Sequence, residues 1–111
     1  MSVMRFRATG AAAIASTLVL DPERAFQLVE IRLHLDAAGG AAGDVNFTAT
    51  LDSNAGTAYD FEMVTEDLTL LADYLYQPTK PIIFDKGDEI DFAYANAGSA
   101  TYGLLVIYEL I

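Results

Sequence analysis

Cysteine and tryptophan do not occur in this chain, and histidine occurs once, at position 34. Without cysteine there are no disulfide staples and no thiolate metal sites. With a single histidine as well, the usual nitrogen and sulfur donors of transition-metal centres are missing. A nucleophile needs a base beside it. His34 stands inside an alternating apolar run and reads as an outward-facing strand residue rather than a general base. The lack of tryptophan removes a usual platform for stacking a sugar. Sixteen acids always offer pairs, so they do not by themselves indicate a glycosidase. The expectation is a protein that is not an enzyme and uses no cofactor and no metal.

Positive charge is scarce. Six Lys and Arg stand against sixteen Asp and Glu, for a net charge of −10. Residues 1–43 balance four acids with Arg5, Arg7, Arg24 and Arg32; residues 44–111 carry twelve acids against Lys80 and Lys86. Such a chain repels a phosphate backbone and an anionic lipid surface, so neither nucleic acid nor membrane is expected as a partner. No run reaches the roughly 18 apolar residues of a membrane helix. The stretch from Ala11 to Leu20 follows Arg5 and Arg7, but it contains Ser16 and Thr17 and leads into Asp21-Pro22-Glu23. That composition argues against a signal peptide. Gly39, Gly40 and Gly43 are not followed by Gly-Lys-Ser/Thr, so they read as a flexible connection rather than a phosphate loop.

Apolar residues, by contrast, make up 53% of the 111 positions, and mean hydropathy is +0.30. A small domain this apolar often hides part of its surface against partner copies. The dominant period is two, which predicts strands. Val29, Ile31, Leu33 and Leu35 alternate with Glu30, Arg32 and His34. A turn at 52–56 joins the row Val45, Phe47, Ala49, Leu51 to the row Tyr59, Phe61, Met63, predicting a hairpin over 45–64. A short helical turn is expected at 67–72, and strands at 74–76, 82–84 and 90–94. Asp85, Asp88, Glu89 and Asp91 form an acidic patch whose spacing does not match a calcium loop, so it reads as a polar turn. Tyr74, Tyr76, Tyr94, Tyr102 and Tyr108 are candidates for a binding face, though tyrosine in strands is more often core rim.

The last strand, 101–110, is largely apolar on both faces: Tyr102, Leu104, Val106, Tyr108 and Leu110 on one, Gly103, Leu105, Ile107 and Glu109 on the other. A strand of that kind is covered on both sides, by layers or by a neighbouring subunit. These observations predict one all-β domain over 1–111. It would be an antiparallel β-sandwich of jelly-roll type, with an immunoglobulin-like sandwich as the alternative. Residues 1–22 are a candidate N-terminal arm or swapped strand. Candidate interface residues are Arg5, Phe6, Arg7, Leu105, Ile107 and Ile111.

Several phrases within 29–108 go together. They are Ile31-Arg32-Leu33-His34-Leu35-Asp36, Phe47-Thr48-Ala49-Thr50-Leu51-Asp52-Ser53, Ala58-Tyr59-Asp60, Lys80-Pro81-Ile82, Gly87-Asp88-Glu89-Ile90-Asp91-Phe92-Ala93-Tyr94-Ala95-Asn96, and Thr101-Tyr102-Gly103-Leu104. With these, about two-thirds of the chain resembles the small β-sandwich decoration or cement proteins of tailed-bacteriophage particles. The resemblance implies a virion protein made in the host cytoplasm. It implies a homo-oligomer, a trimer, seated on the outer face of the shell and bound to the major capsid protein. A carbohydrate- or receptor-binding sandwich of a phage tail or fibre is the alternative, and a glycoside-active enzyme ranks last.

Overall fold

Alternation gives each strand one face to bury, and two sheets satisfy that need against each other. The computed structural model describes residues 2–15, 19–39 and 46–111. Among them are strands β1 Ser2–Gly10, β2 Val19–Leu20, β3 Phe26–Leu35, β4 Asn46–Asp52, β5 Phe61–Asp67, β6 Asp73–Tyr76, β7 Ile82–Phe84, β8 Glu89–Ala93 and β9 Tyr102–Leu110. The first sheet runs β1-β9-β3-β6, with β7 pairing β3 beside β6; the second runs β2-β8-β4-β5. Every strand pair is antiparallel. β6 covers Ile31–His34 of β3 and β7 covers Phe26–Leu28, so together they act as one broken strand. The break contains Pro78 and Pro81, which have no N–H to donate to a ladder.

Counting β6 and β7 once, the chain enters the first sheet at β1, the second at β2, the first at β3 and the second at β4 and β5. It then returns at β6/β7, crosses at β8 and closes at β9. This is the eight-stranded jelly roll, and it settles the choice against the immunoglobulin-like order. The core is built on phenylalanine. Phe26, Phe47, Phe84 and Phe92 are fully buried. Phe26 stacks on Phe84 with centroids 4.4 Å apart, and Phe92 lies 6.3 Å from Phe47 and 6.2 Å from Phe6.

Two bulges correct the expected rows. In β3 the register against β9 shifts between Leu28 and Glu30. Phe26 and Leu28 point inward before it, Ile31, Leu33 and Leu35 after it, and Val29 is the extra, half-buried residue. In the β4–β5 hairpin, Ala49 faces Val64 while Thr50 faces Glu62, leaving Met63 as the extra residue. The core position falls to Val64, and Phe61 is 66% exposed. An inserted residue reverses the phase of a period of two, which is why the row Tyr59, Phe61, Met63 does not form. Tyr59 ends a single 3-10 turn, Thr57–Tyr59.

The expected helical turn at 67–72 is also absent. β5 runs through Asp67, Leu68 is buried, and Leu70 turns the chain with φ 61° and 87% exposure. Residues 2–10 pair along their whole length with β9, as an edge strand of the first sheet. From Gly40 to Val45 the expected small-residue loop and strand start lie outside the described residues, as do Ser16–Leu18 of the strand expected at 15–20.

Candidate functional site

The outer face of the first sheet can be read off its register. Arg7, Leu105, Arg32 and Leu75 form one row across β1, β9, β3 and β6; Thr9, Gly103, His34 and Asp73 form the next. Arg5, Ile107 and Glu30 lie on the other side of the first row. Between these rows is a groove of about 820 Å³, the size of a small-ligand or side-chain pocket. Its depth comes from Gly103. A Cβ there would meet nothing within 4 Å, so the strand leaves an open floor between Leu105, Thr9 and His34.

The polar groups of the face differ in how they are held. Arg32 Nε donates to Oε2 of Glu30, which is itself buried, and Gln77 Nε2 donates to Oε1 of Glu30 at 3.3 Å. His34 Nδ1 and Asp73 Oδ1 meet at 2.5 Å across the β3–β6 pair, both side chains exposed. Arg5 and Arg7 are different: among the described residues neither has a carboxylate within ion-pair distance. In a chain of net charge −10, two guanidinium groups without such a partner, beside the half-buried Leu105 and Ile107 and the exposed Leu75, make a face suited to carboxylates.

The predicted interface residues divide accordingly. Arg5, Arg7, Leu105 and Ile107 share this face. Phe6 does not: its ring points inward and packs over Phe92. Ile111 follows β9 and is 55% exposed, its N–H donating to Ala25 O at 3.2 Å. The tyrosines follow the favoured core-rim reading rather than forming a binding face. Tyr94, Tyr102 and Tyr108 are buried and Tyr74 and Tyr76 pack on the core, so five of the six tyrosines are spent inside. Sequence reasoning missed Arg32, Leu75 and Gly103. The alternation of Arg32 with His34 was a visible sign of an outward row, but nothing local says that β3 and β9 are neighbours.

The opposite face, on the second sheet, is acidic. Asp52 faces Glu89 across the β4–β8 pair, Thr50 faces Asp91, and Glu62 faces Thr50. Carboxylate oxygens of Asp52, Glu89 and Asp91 lie within 4.8 Å of one another. Oδ1 of Asp91 is buried without a hydrogen-bond partner among the described residues. Partial burial, then the fields of Asp52 and Asp60, push the Asp91 carboxyl above its ordinary range. Glu89 is raised likewise, by burial and then by Asp21, Asp52 and Asp91. Three such oxygens are a donor set for a hard cation and equally a set that a proton relieves.

The acidic patch expected at 85–91 is therefore two things. Asp88 is buried and structural, accepting the N–H of Asp85 at 2.8 Å and of Asn54 at 2.9 Å. Glu89 and Asp91 join Asp52 from another strand, a partner that only the β4–β8 pairing reveals. No protein-family model and no curated protein matches this chain.

Proposed function

We propose that this protein is a non-enzymatic docking module, a homo-oligomeric decoration protein of a viral shell that binds the major capsid protein through the outer face of its first sheet. One observation carries the docking half of the reading. β9 turns Leu105 and Ile107 outward beside the unpaired Arg5 and Arg7, and no third layer of this chain covers them among the described residues. A monomer has little reason to keep such a row, since the parts of these half-buried side chains left in water forgo about 25 cal/mol for each Å² not buried. The particle half rests on the likeness of residues 29–108 to decoration proteins. The acidic second face then points away from the shell and keeps the assembled surface soluble.

Immunogold labelling of phage particles from cells that make the chain tests this. Label spread over the outer surface of heads is expected. Label confined to tails or fibres transfers the function to receptor or carbohydrate binding, and particles without label remove the virion reading altogether.

A further inference from the structure

The outer edges of the two sheets are not alike. β2 spans two residues among the described ones. β5 carries the bulge at Met63 and the acids Glu62, Glu66 and Asp67. β6 and β7 are four and three residues long and are parted by the segment that holds Pro78 and Pro81. Short length, bulges, charge and proline are the usual devices that keep a foreign strand from adding to an edge.

β1 has no break, no bulge and no proline. Its nine residues pair with β9 in one unshifted register, from Ser2 against Leu110 to Gly10 against Tyr102. No strand pairs with its other side among the described residues. In an antiparallel ladder every second residue turns its N–H and C=O to one neighbour, and the residues between turn theirs the other way. Here that other way is solvent. Val3 and Met4, on opposite faces of the sheet, are 52% and 38% exposed, so the flank lacks cover on both sides. The only charges on β1 are Arg5 and Arg7, both exposed and without a carboxylate in ion-pair distance among the described residues.

The side chains say which strand fits. Val3, Arg5, Arg7 and Thr9 stand on the outer face, and Met4, Phe6 and Ala8 on the inner one. A strand laid along β1 sets every second side chain beside the arginines and the others beside Met4 and Phe6. Carboxylates alternating with apolar residues match both. A second copy offers no such strand. β1 against β1 in full register puts Arg5 opposite Arg7, and like charges directly opposite repel. β5 is acidic, but its bulge breaks the spacing of two, Glu62 already accepts from Thr65, and Asp67 already accepts the N–H of Thr69.

We infer that β1 is the edge on which the docking partner adds a strand, an extended segment that alternates carboxylate with apolar side chains. The inference rests on the reading of the first sheet's outer face as a docking face and extends it from side chains to backbone. Main-chain hydrogen bonds supply the affinity, and Arg5 and Arg7 select the sequence and its register.

The probe is a peptide as long as β1 that alternates glutamate with valine. It is added to the isotope-labelled full chain up to about 1 mM, the range of weak complexes. About 0.15 M salt shortens the Debye length to ~8 Å and mutes the net-charge repulsion. Amide exchange should slow at every second residue of β1 and on no other edge. Two versions of the peptide, N-methylated at odd or at even positions, separate backbone from side-chain contact. One version should lose at least about tenfold in affinity, since its donors toward β1 are gone, and the other should bind like the parent. A peptide alternating lysine with valine should not bind. Arg5→Ala/Arg7→Ala, both at the surface and checked for fold by circular dichroism, should weaken the glutamate peptide about three- to tenfold, the worth of two exposed ion pairs. An unprotected β1, two methylated versions that behave alike, a lysine peptide that binds as well, or an undiminished double variant each overturns the inference. Labelled heads with an unprotected β1 would leave the docking function standing and remove only the strand addition; protection of β1 without any labelled particle would do the reverse.

Discussion

The two outer faces of the sandwich grow from the same alternation and rest on the same core, yet they are chemically opposite. The first sheet's outer face holds Arg5, Arg7 and Arg32, half of the six cations in the chain, among Leu75, Leu105 and Ile107. The strands of the second sheet contain no lysine or arginine at all, and its outer face gathers Asp52, Glu62, Glu89 and Asp91 with threonines between. Burial dictates only the inward positions of a strand. The outward ones are free to differ, and here they separate an acidic face from one that mixes arginine with aliphatic side chains.

Both faces hang on one core, so the largest effect should reach both. Phe92→Ala removes a fully buried ring flanked by Phe6 and Phe47. The expected cost is about 3–5 kcal/mol, read from urea unfolding. A cost below about 1 kcal/mol would mean the two sheets are not coupled through this ring. Asp88→Ala comes next. It unties two backbone N–H groups and with them the link between the β4–β5 turn and the β7–β8 turn. About 1–3 kcal/mol is expected, and faster amide exchange at Asn54 and Asp85 should report it.

The acidic face should respond to pH. The folded state holds the protons of Asp91 and Glu89 more tightly than the unfolded chain does. Their contribution is therefore most favourable below the ordinary carboxylate range and is lost as pH rises from that range through the raised folded values. Asp91→Asn, neutral at every pH, should be more stable than wild type at pH 7 and no more stable at pH 3; equal stability at both would show that the crowding is relieved some other way. Asp67 carries the opposite sign. The N–H of Thr69 holds its carboxylate below the ordinary range, so its small contribution disappears as pH falls. Smallest of all is His34→Ala. The His34–Asp73 pair is exposed on both sides, so its loss should change stability by no more than about 1 kcal/mol. A larger change would indicate that the pair braces the groove.

Much of the fold was legible locally. The strands of β3, β4, β8 and β9 follow directly from alternation, and the turn at Gly87 follows from a residue free to adopt φ 92°. The inward rows were less so, because Val29 and Met63 look like ordinary apolar members of a row and are in fact bulge residues. A bulge leaves no mark in composition; it is defined by the partner strand. The aromatic residues misled for a related reason. Tyr59 and Phe61 carry the same strand preference as Tyr94 and Phe92, yet the first pair is in water and the second in the core.

Of the proposed docking face, Arg5, Arg7, Leu105 and Ile107 could be named from the sequence, since outward charge and a doubly apolar strand are local properties. Their gathering could not. The sequence by itself determined that this chain buries one face of each strand and has neither the histidines nor the cysteines for transition-metal chemistry. Only the tertiary structure decided that Arg7, Leu105, Arg32 and Leu75 stand in one row, that Gly103 opens a floor beside them, and that Asp52 meets Glu89 and Asp91. The reason is physical: alternation fixes which way a side chain points, whereas its neighbour across the sheet is fixed by long-range pairing between strands distant in the chain, and that pairing is chosen by the whole core at once.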